Sequence, residues 1–301
     1  MMNSAENKFE ITISAAGLTD IGKKRAANED ALLLADLNAG SQNSASGQES
    51  ASGQEMDGAT MTLGEQGALL LVADGMGGTA AGEIASTLAA AAMREALTTR
   101  GGQQAGSEQL RQAAELANAR IWQHVQCNPE LDGMGTTLTA ALVRDGIAYL
   151  AQVGDSRAYL IRGQSIKQVT KDQSLVQRML DAGLLSPAEA ARHPHRNVIM
   201  QALGVKPQIK VALTALTLCR DDCLLLCSDG LSNAVTPSEM QRIVNEADSP
   251  AYACHWLIEL ANARGGDDNI TAIVAQFAGA GLYESDARAI TGSLNWLAQA
   301  A

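Results

Sequence analysis

Aromatic side chains are scarce in this sequence: two Phe, three Trp and four Tyr in 301 residues, or 3%. A core must therefore be built from Leu, Val, Ile and Ala. Positive charge is also in short supply, with 22 Lys and Arg against 33 Asp and Glu and a formal net charge of -11. That balance argues against a general nucleic-acid binder or a protein of anionic membrane surfaces, both of which need a basic face. No stretch approaches the ~20 apolar residues of a membrane helix. Residues Met1 to Glu10 hold neither an apolar run nor a cleavage-like site, so no signal peptide is expected and the chain reads as cytoplasmic.

The five cysteines form no disulfide framework, and their odd number fits reduced thiols. Cys219, Cys223 and Cys227 are spaced by four, but the last two flank a Leu run, so they read as small core residues rather than a metal comb. Of four histidines, His193 and His195 share a Pro-containing loop without further ligands at zinc spacing. Neither a Gly-x-Ser-x-Gly elbow nor a Gly-x-x-x-x-Gly-Lys-Ser/Thr loop is present, so serine-hydrolase and P-loop chemistry lack support.

What is present is an ordinary globular balance, 46% hydrophobic and 18% charged, in a chain of one large or two small domains. Strand signals run over Phe9–Ser14 and Ala31–Ala35, then in a short-looped series at 137–143, 147–153, 158–161 and 166–169, and later at 211–217, 223–228 and 270–277. Helical stripes cover 80–98, 107–126, 250–263 and, in the tail, 286–298. Asp172 is placed to cap a helix reaching Ala182. Ser186-Pro187-Ala188-Glu189 and Thr236-Pro237-Ser238-Glu239 are capping boxes with Pro at the first helical position, and Thr79 is placed to cap the first long helix. Runs of strands separate from pairs of helices indicate an α+β fold with antiparallel sheets. Residues 38–67, with Ser-Ala-Ser-Gly-Gln-Glu twice in tandem, are expected to be a disordered insertion between two neighbouring strands.

Two strings are near twins. Leu69-Leu70-Leu71-Val72-Ala73-Asp74-Gly75 and Leu224-Leu225-Leu226-Cys227-Ser228-Asp229-Gly230 are both buried-strand patterns that stop at a carboxylate. A charge delivered to the end of a core element needs a partner. Asp30, Asp155, Asp267 and Asp268 also stand at strand edges. One such acid is most simply a turn residue; several together point to a cation. With no His or Cys alongside, the cation is hard, Mg²⁺ or Mn²⁺.

Six motifs in order, Arg25-x-x-Asn28-Glu29-Asp30, Asp74-Gly75-Met76-Gly77-Gly78 with Gly82-Glu83-x-Ala85-Ser86, Gly133-Met134-Gly135-Thr136-Thr137, Gly154-Asp155-Ser156-Arg157, Ser228-Asp229-Gly230-Leu231 and Asp267-Asp268-Asn269-Ile270-Thr271, resemble the metal-dependent serine/threonine protein phosphatases, the PPM or type 2C family, in its bacterial form. The resemblance spans about Ile11 to Phe277. It implies a four-layer α-β-β-α sandwich of two antiparallel sheets flanked by helix pairs, a phosphatase domain over 9–279, a small helical flap over 173–204 and a tail over 280–301. It implies two core Mg²⁺ or Mn²⁺ ions at one end of the sandwich. Asp74 would bridge both, the Gly75 carbonyl would bind one, Asp229 and Asp268 the other, and Glu29 and Asp30 would hold bound waters. Asp155 matches a third, weaker metal position, Asn269 joins the metal set, and Arg25 would grip the substrate phosphate.

The chemistry agrees with that assignment. Two cations ~3.5–4 Å apart can share a water, lower its pKa and aim it at phosphorus, while a guanidinium clamps phosphoryl oxygens bidentately. Met76 stands where eukaryotic members commonly have a proposed general-acid His; Met donates no proton, so water or another group must protonate the leaving oxygen. The expected partners are phosphorylated proteins and a cognate Ser/Thr kinase, and the expected state is a monomer. The alternatives are a non-catalytic phosphoprotein- or kinase-binding regulator on the same fold, against which the retained acids speak, and hydrolysis of small phosphate esters.

Overall fold

The structure, a computed structural model, describes residues 10–38, 49–51, 55–78, 81–99, 104–190, 192–284 and 294–297. The strands are β1 (Thr12–Asp20), β2 (Asp30–Asp36), β3 (Glu49–Ala51), β4 (Glu55–Thr62), β5 (Ala68–Met76), β6 (Gly135–Thr136) and β7 (Leu138–Arg144). They continue with β8 (Ile147–Val153), β9 (Arg157–Arg162), β10 (Ser165–Gln168), β11 (Ala212–Thr217), β12 (Cys223–Cys227), β13 (Ile270–Ala278) and β14 (Leu294–Leu297). One sheet has the order β10-β9-β12-β13-β1-β4, the other β14-β11-β8-β7-β5-β2-β3, and every pairing between named strands is antiparallel.

Side-chain alternation divides the molecule into layers. Leu70, Val72, Leu224, Leu226, Ile273 and Phe277 fill the space between the sheets. Leu69, Leu71 and Ala73 point the other way, against α1 (Ala81–Thr99) and α2 (Gly106–Cys127). Cys223, Leu225 and Cys227 face α6 (Pro237–Glu246) and α7 (Pro250–Ala263) on the far side. The twin strands read as continuous apolar runs because both faces are covered. The result is the α-β-β-α sandwich.

Between β10 and β11 a flap carries α3 (Leu175–Asp181) and α4 (Pro187–Ala190), and the short α5 (Asp229–Ser232) follows β12. The capping boxes at Ser186 and Thr236 form as read. Asp172 does not cap α3; Ser174 does, accepting from the Gln177 N–H at 3.3 Å, because the Asp172 carboxylate is taken by Arg157. Thr79 lies outside the described residues.

Two expectations are corrected. Within 38–67, Glu49–Ala51 and Glu55–Thr62 are strands at the sheet edges, β3 on β2 and β4 on β1, while residues 39–48 and 52–54 lie outside the described residues. Composition spoke only to side-chain burial, whereas an open sheet edge recruits a segment through its main-chain groups. The tail helix expected over 286–298 is contradicted at Leu294–Leu297, which pairs with β11; residues 285–293 and 298–301 lie outside the described residues.

Candidate active site at one end of the sandwich

The candidate acids meet where the strands end. Asp30 and Asp74 lie directly opposite each other in the β2–β5 register. They share parity with Leu32, Leu34, Leu70 and Val72, so both carboxylates continue the layer between the sheets. Asp229 opens α5 immediately beyond β12, Asp268 stands two residues before β13, and Asp155 sits in the turn between β8 and β9. Asp74 and Asp229 are within hydrogen-bond reach of each other.

Threonines fix the backbone around Asp74. Its N–H donates to Thr137 Oγ1 at 2.9 Å, and its carbonyl accepts from Thr136 Oγ1 at 3.0 Å. A hydroxyl relay orients Asp30. Asn28 Nδ2 donates to Thr19 Oγ1 (2.9 Å), Thr19 and Thr271 hydroxyls meet at 2.7 Å, and Thr271 Oγ1 donates to Asp30 Oδ2 at 2.6 Å. With both ends of that relay set, the Thr19 hydroxyl donates to Thr271. The glycines after the twin aspartates are demanded by close backbone approach: a Cβ at Gly75 would stand 2.2 Å from the Gly82 carbonyl oxygen, and one at Gly230 would stand 2.0 Å from that of Asn269.

The electrostatics are those of crowded, buried acids. Burial raises the Asp74 carboxyl well above its ordinary range, and the charges of Asp30, Asp229, Asp155 and Asp268 raise it further. Burial raises Asp229, with Asp268 adding to it and Arg157 and Arg25 opposing. Asp155 is pushed up to about 7 by burial, then by Asp229 and Asp172. Asp30 and Glu29 are raised chiefly by burial too. Two oxygens in this set, Glu29 Oε1 and Asp30 Oδ1, are buried with no hydrogen-bond partner. Unpartnered buried carboxylate oxygens cost free energy, and a divalent cation with its waters is the partner that oxygen-only donors fit. Among the described residues no three or more Asp, Glu, His or Cys side chains stand close enough together to hold a metal ion as they are placed.

Arg25 lies among them. Its guanidinium donates to Asp268 Oδ2 at 2.7 Å, so the expected phosphate clamp and an expected metal ligand are each other's partner. Asn269 Oδ1 accepts from the Glu29 N–H at 2.8 Å and its Nδ2 donates to the Ile21 and Ala27 carbonyls, both at 2.9 Å. Its three hydrogen bonds brace the 21–29 loop that carries Arg25 and Glu29.

A cleft of about 810 Å³ is lined by Arg25, Asp155, Arg157, Asp229 and Asp268 together with flap residues, Arg196 among them; Asp30 and Asp74 do not line it. That volume suits a phosphorylated side chain with its neighbours. Another cleft, about 570 Å³, opens at the opposite end of β9 and β12 beside Arg162 and Cys223 and holds none of the candidate acids. The threonine relay, the Asn269 brace and the Arg157–Asp172 pair escaped the sequence reading. Of their signals, Gly135-Thr136-Thr137 and Thr271 stand in the six motifs with no role of their own, whereas Asn269 reads as a metal ligand and Asp172 as a helix cap.

Comparison with known proteins agrees with this geometry. A family model described as Protein phosphatase 2C matches residues 50–261. The serine/threonine phosphatase stp of Listeria welshimeri is 36% identical over 211 residues, covering 69% of this chain and 84% of that protein. The serine/threonine protein phosphatase PstP of Mycobacterium tuberculosis is 42% identical over 207 residues, 69% of this chain but 40% of that longer protein. Among solved structures, the catalytic domain of a PstP in complex with two manganese ions superposes with a TM-score of 0.71 at 34% identity, covering 89% of this chain and 99% of that one. Sequence, layers and site thus converge, and the chain belongs to the protein phosphatase 2C family.

Proposed function

We propose that the acid-lined cleft is where this chain, a metal-dependent protein-serine/threonine phosphatase by family, removes phosphate from phosphoserine and phosphothreonine by direct attack of water. The observation that carries this reading is the meeting of Asp30, Asp74, Asp155, Asp229 and Asp268 at one end of the sandwich, with two buried carboxylate oxygens nearby left without partners. Asp74, the Gly75 carbonyl, Asp229 and Asp268 would hold two divalent ions, Mg²⁺ or Mn²⁺, and Asp155 a third, weaker one. When bound, such a pair supplies the Lewis acidity that activates a water and offsets phosphoryl charge.

The chain's own residues do the rest. Glu29 Oε1 and Asp30 Oδ1 are free to accept hydrogen bonds from water, and the Thr271 hydroxyl keeps Asp30 in one orientation. Arg25, about half exposed at the cleft wall, exchanges its Asp268 partner for phosphoryl oxygens, which a guanidinium grips bidentately. Met76, which ends β5, offers no proton, so solvent in the open cleft protonates the leaving alkoxide.

In this reading the protein opposes a Ser/Thr kinase and acts as a cytoplasmic monomer; among the described residues no helix is long and apolar enough to cross a membrane. A substrate panel tests the function: phosphothreonine peptides against sugar and nucleotide phosphates, with Mn²⁺ and again with EDTA. Peptide turnover abolished by EDTA and far above metabolite turnover is expected. Preference for metabolites would remove the protein substrate, and turnover undiminished in EDTA would remove the metal mechanism.

A further inference from the structure

The flap is joined to the Asp155 turn through its root. Asp155 is flanked by Gly154 and, two residues on, by Arg157, and both neighbours are tied to consecutive residues where the flap begins. Gln173 N–H donates to the Gly154 carbonyl at 2.8 Å, and Gly154 N–H donates back to Gln173 Oε1 at 3.0 Å. Arg157 donates from Nε and Nη2 to both oxygens of Asp172, the shortest bond being 2.7 Å. The same Gln173 also holds the end of the flap: its carbonyl accepts from the Met200 N–H (2.7 Å) and its Oε1 from Gln201 Nε2 (3.1 Å). Leu175 N–H donates to the Val198 carbonyl at 2.8 Å, so the outgoing and returning segments pair beside it. Gln173 is thus the junction of three segments: the Asp155 turn, the flap entry and the flap return.

We propose that Gln173, seconded by Asp172, is a positioning residue that makes the placement of Asp155 and the attitude of the flap one variable. A cation held at Asp155 then steadies the flap wall of the cleft, and a flap settled on a substrate steadies Asp155. The ties on each side of Asp155 leave the turn little freedom to move without the flap. Neighbouring groups that orient a ligating carboxylate act on cation affinity in this manner. The inference rests on the reading of Asp155 as a cation position.

The test uses the full chain and Gln173→Met, which keeps side-chain length and the backbone bonds but removes the side-chain ones. Activity on a phosphothreonine peptide is titrated with MnCl₂. In parallel, trypsin cleavage after Arg192 and Arg196 is followed with and without Mn²⁺. The Mn²⁺ midpoint is expected to rise about tenfold, at the low end of what loss of an outer-shell partner does, while kcat at saturating Mn²⁺ changes by less than about threefold. Mn²⁺ is expected to slow flap cleavage in the parent chain and to lose that effect in the variant. A lowered kcat with an unmoved Mn²⁺ midpoint and intact flap protection would mean a structural role only and overturn the proposal. Should Gln173→Met not fold, Gln201→Met, which removes the side-chain bond to Gln173 and those to Lys210 but keeps the Met200–Gln173 backbone bond, is expected to weaken the protection by Mn²⁺; full protection there overturns it equally. If the parent chain binds no Mn²⁺ by calorimetry, the metal reading itself fails and the coupling with it. If it binds but the flap is indifferent, only the coupling fails.

Discussion

Replacing Asn269 by Asp separates a brace from a metal ligand. The change conserves volume, so no cavity contributes. The new carboxylate can still accept from the Glu29 N–H, but it faces the Ile21 and Ala27 carbonyls, each 2.9 Å from the present Nδ2, with an acceptor in place of a donor. Two lost hydrogen bonds at roughly 1 kcal/mol each, with at least about another 1 kcal/mol for carbonyls left unsatisfied in a site only 4% exposed, give a loss of about 3 kcal/mol. For a domain of this size or a little smaller that is a fall in Tm of about 6–12 °C. Thermal melts in EDTA measure it without any contribution from bound metal. The loop set free carries Arg25 and Glu29, so peptide turnover falls as well. If Asn269 were instead a ligand, Asp would bind the cation more tightly and the EDTA melt would hardly move. A Tm within about 2 °C of the parent in EDTA, with increased Mn²⁺ affinity, would refute the brace.

Two more outcomes follow from the crowding of acids. Asp229→Asn is expected to cut turnover by well over the 10–100-fold that outer-shell changes cause, yet to raise the Tm in EDTA, because it takes one charge from a buried cluster whose members disfavour one another's ionisation; a lowered Tm in EDTA would contradict the electrostatic picture. The second concerns pH in the metal-stripped protein. Asp155 titrates near 7 when folded, against 3.8 as its ordinary value. Between about pH 4 and pH 7 the folded state therefore holds protons that the unfolded chain has released, and stability falls as pH rises through that window. Asp30, Asp74 and Asp229 act in the same direction. In EDTA the Tm is expected to be higher at pH 5 than at pH 7.5, with Mn²⁺ shrinking or reversing the difference, since cations bind the deprotonated carboxylates; a Tm that climbs from pH 5 to 7.5 in EDTA would count against it.

Much of this was legible because it rests on periodicity and on charges at element ends. The apolar run before Asp74 could only be a doubly covered strand, and the strand parity then carries its carboxylate into the layer shared with Asp30. The short-looped strand series gave the antiparallel sheets, and the capping boxes at Ser186 and Thr236 gave helix starts to the residue. What could not be read depends on partners far apart in sequence. Asp172 looks like a helix cap until Arg157, at the start of β9, takes it. Asn269 looks like part of an acidic ligand set until three main-chain groups of a distant loop consume its amide. The edge strands at 49–51, 55–62 and 294–297 have no pattern of their own, since main-chain pairing with an open edge forms them.

The central claim, that turnover depends on cations held by these carboxylates, is most directly tested by titrating MnCl₂ into metal-stripped protein while following phosphate release from a phosphothreonine peptide. Release is expected to be negligible at the start and to rise as about two ions bind per chain, with Asp229→Asn flat over the same range. Full turnover by the stripped protein, or an Asp229→Asn titration that overlays the parent's, would contradict it.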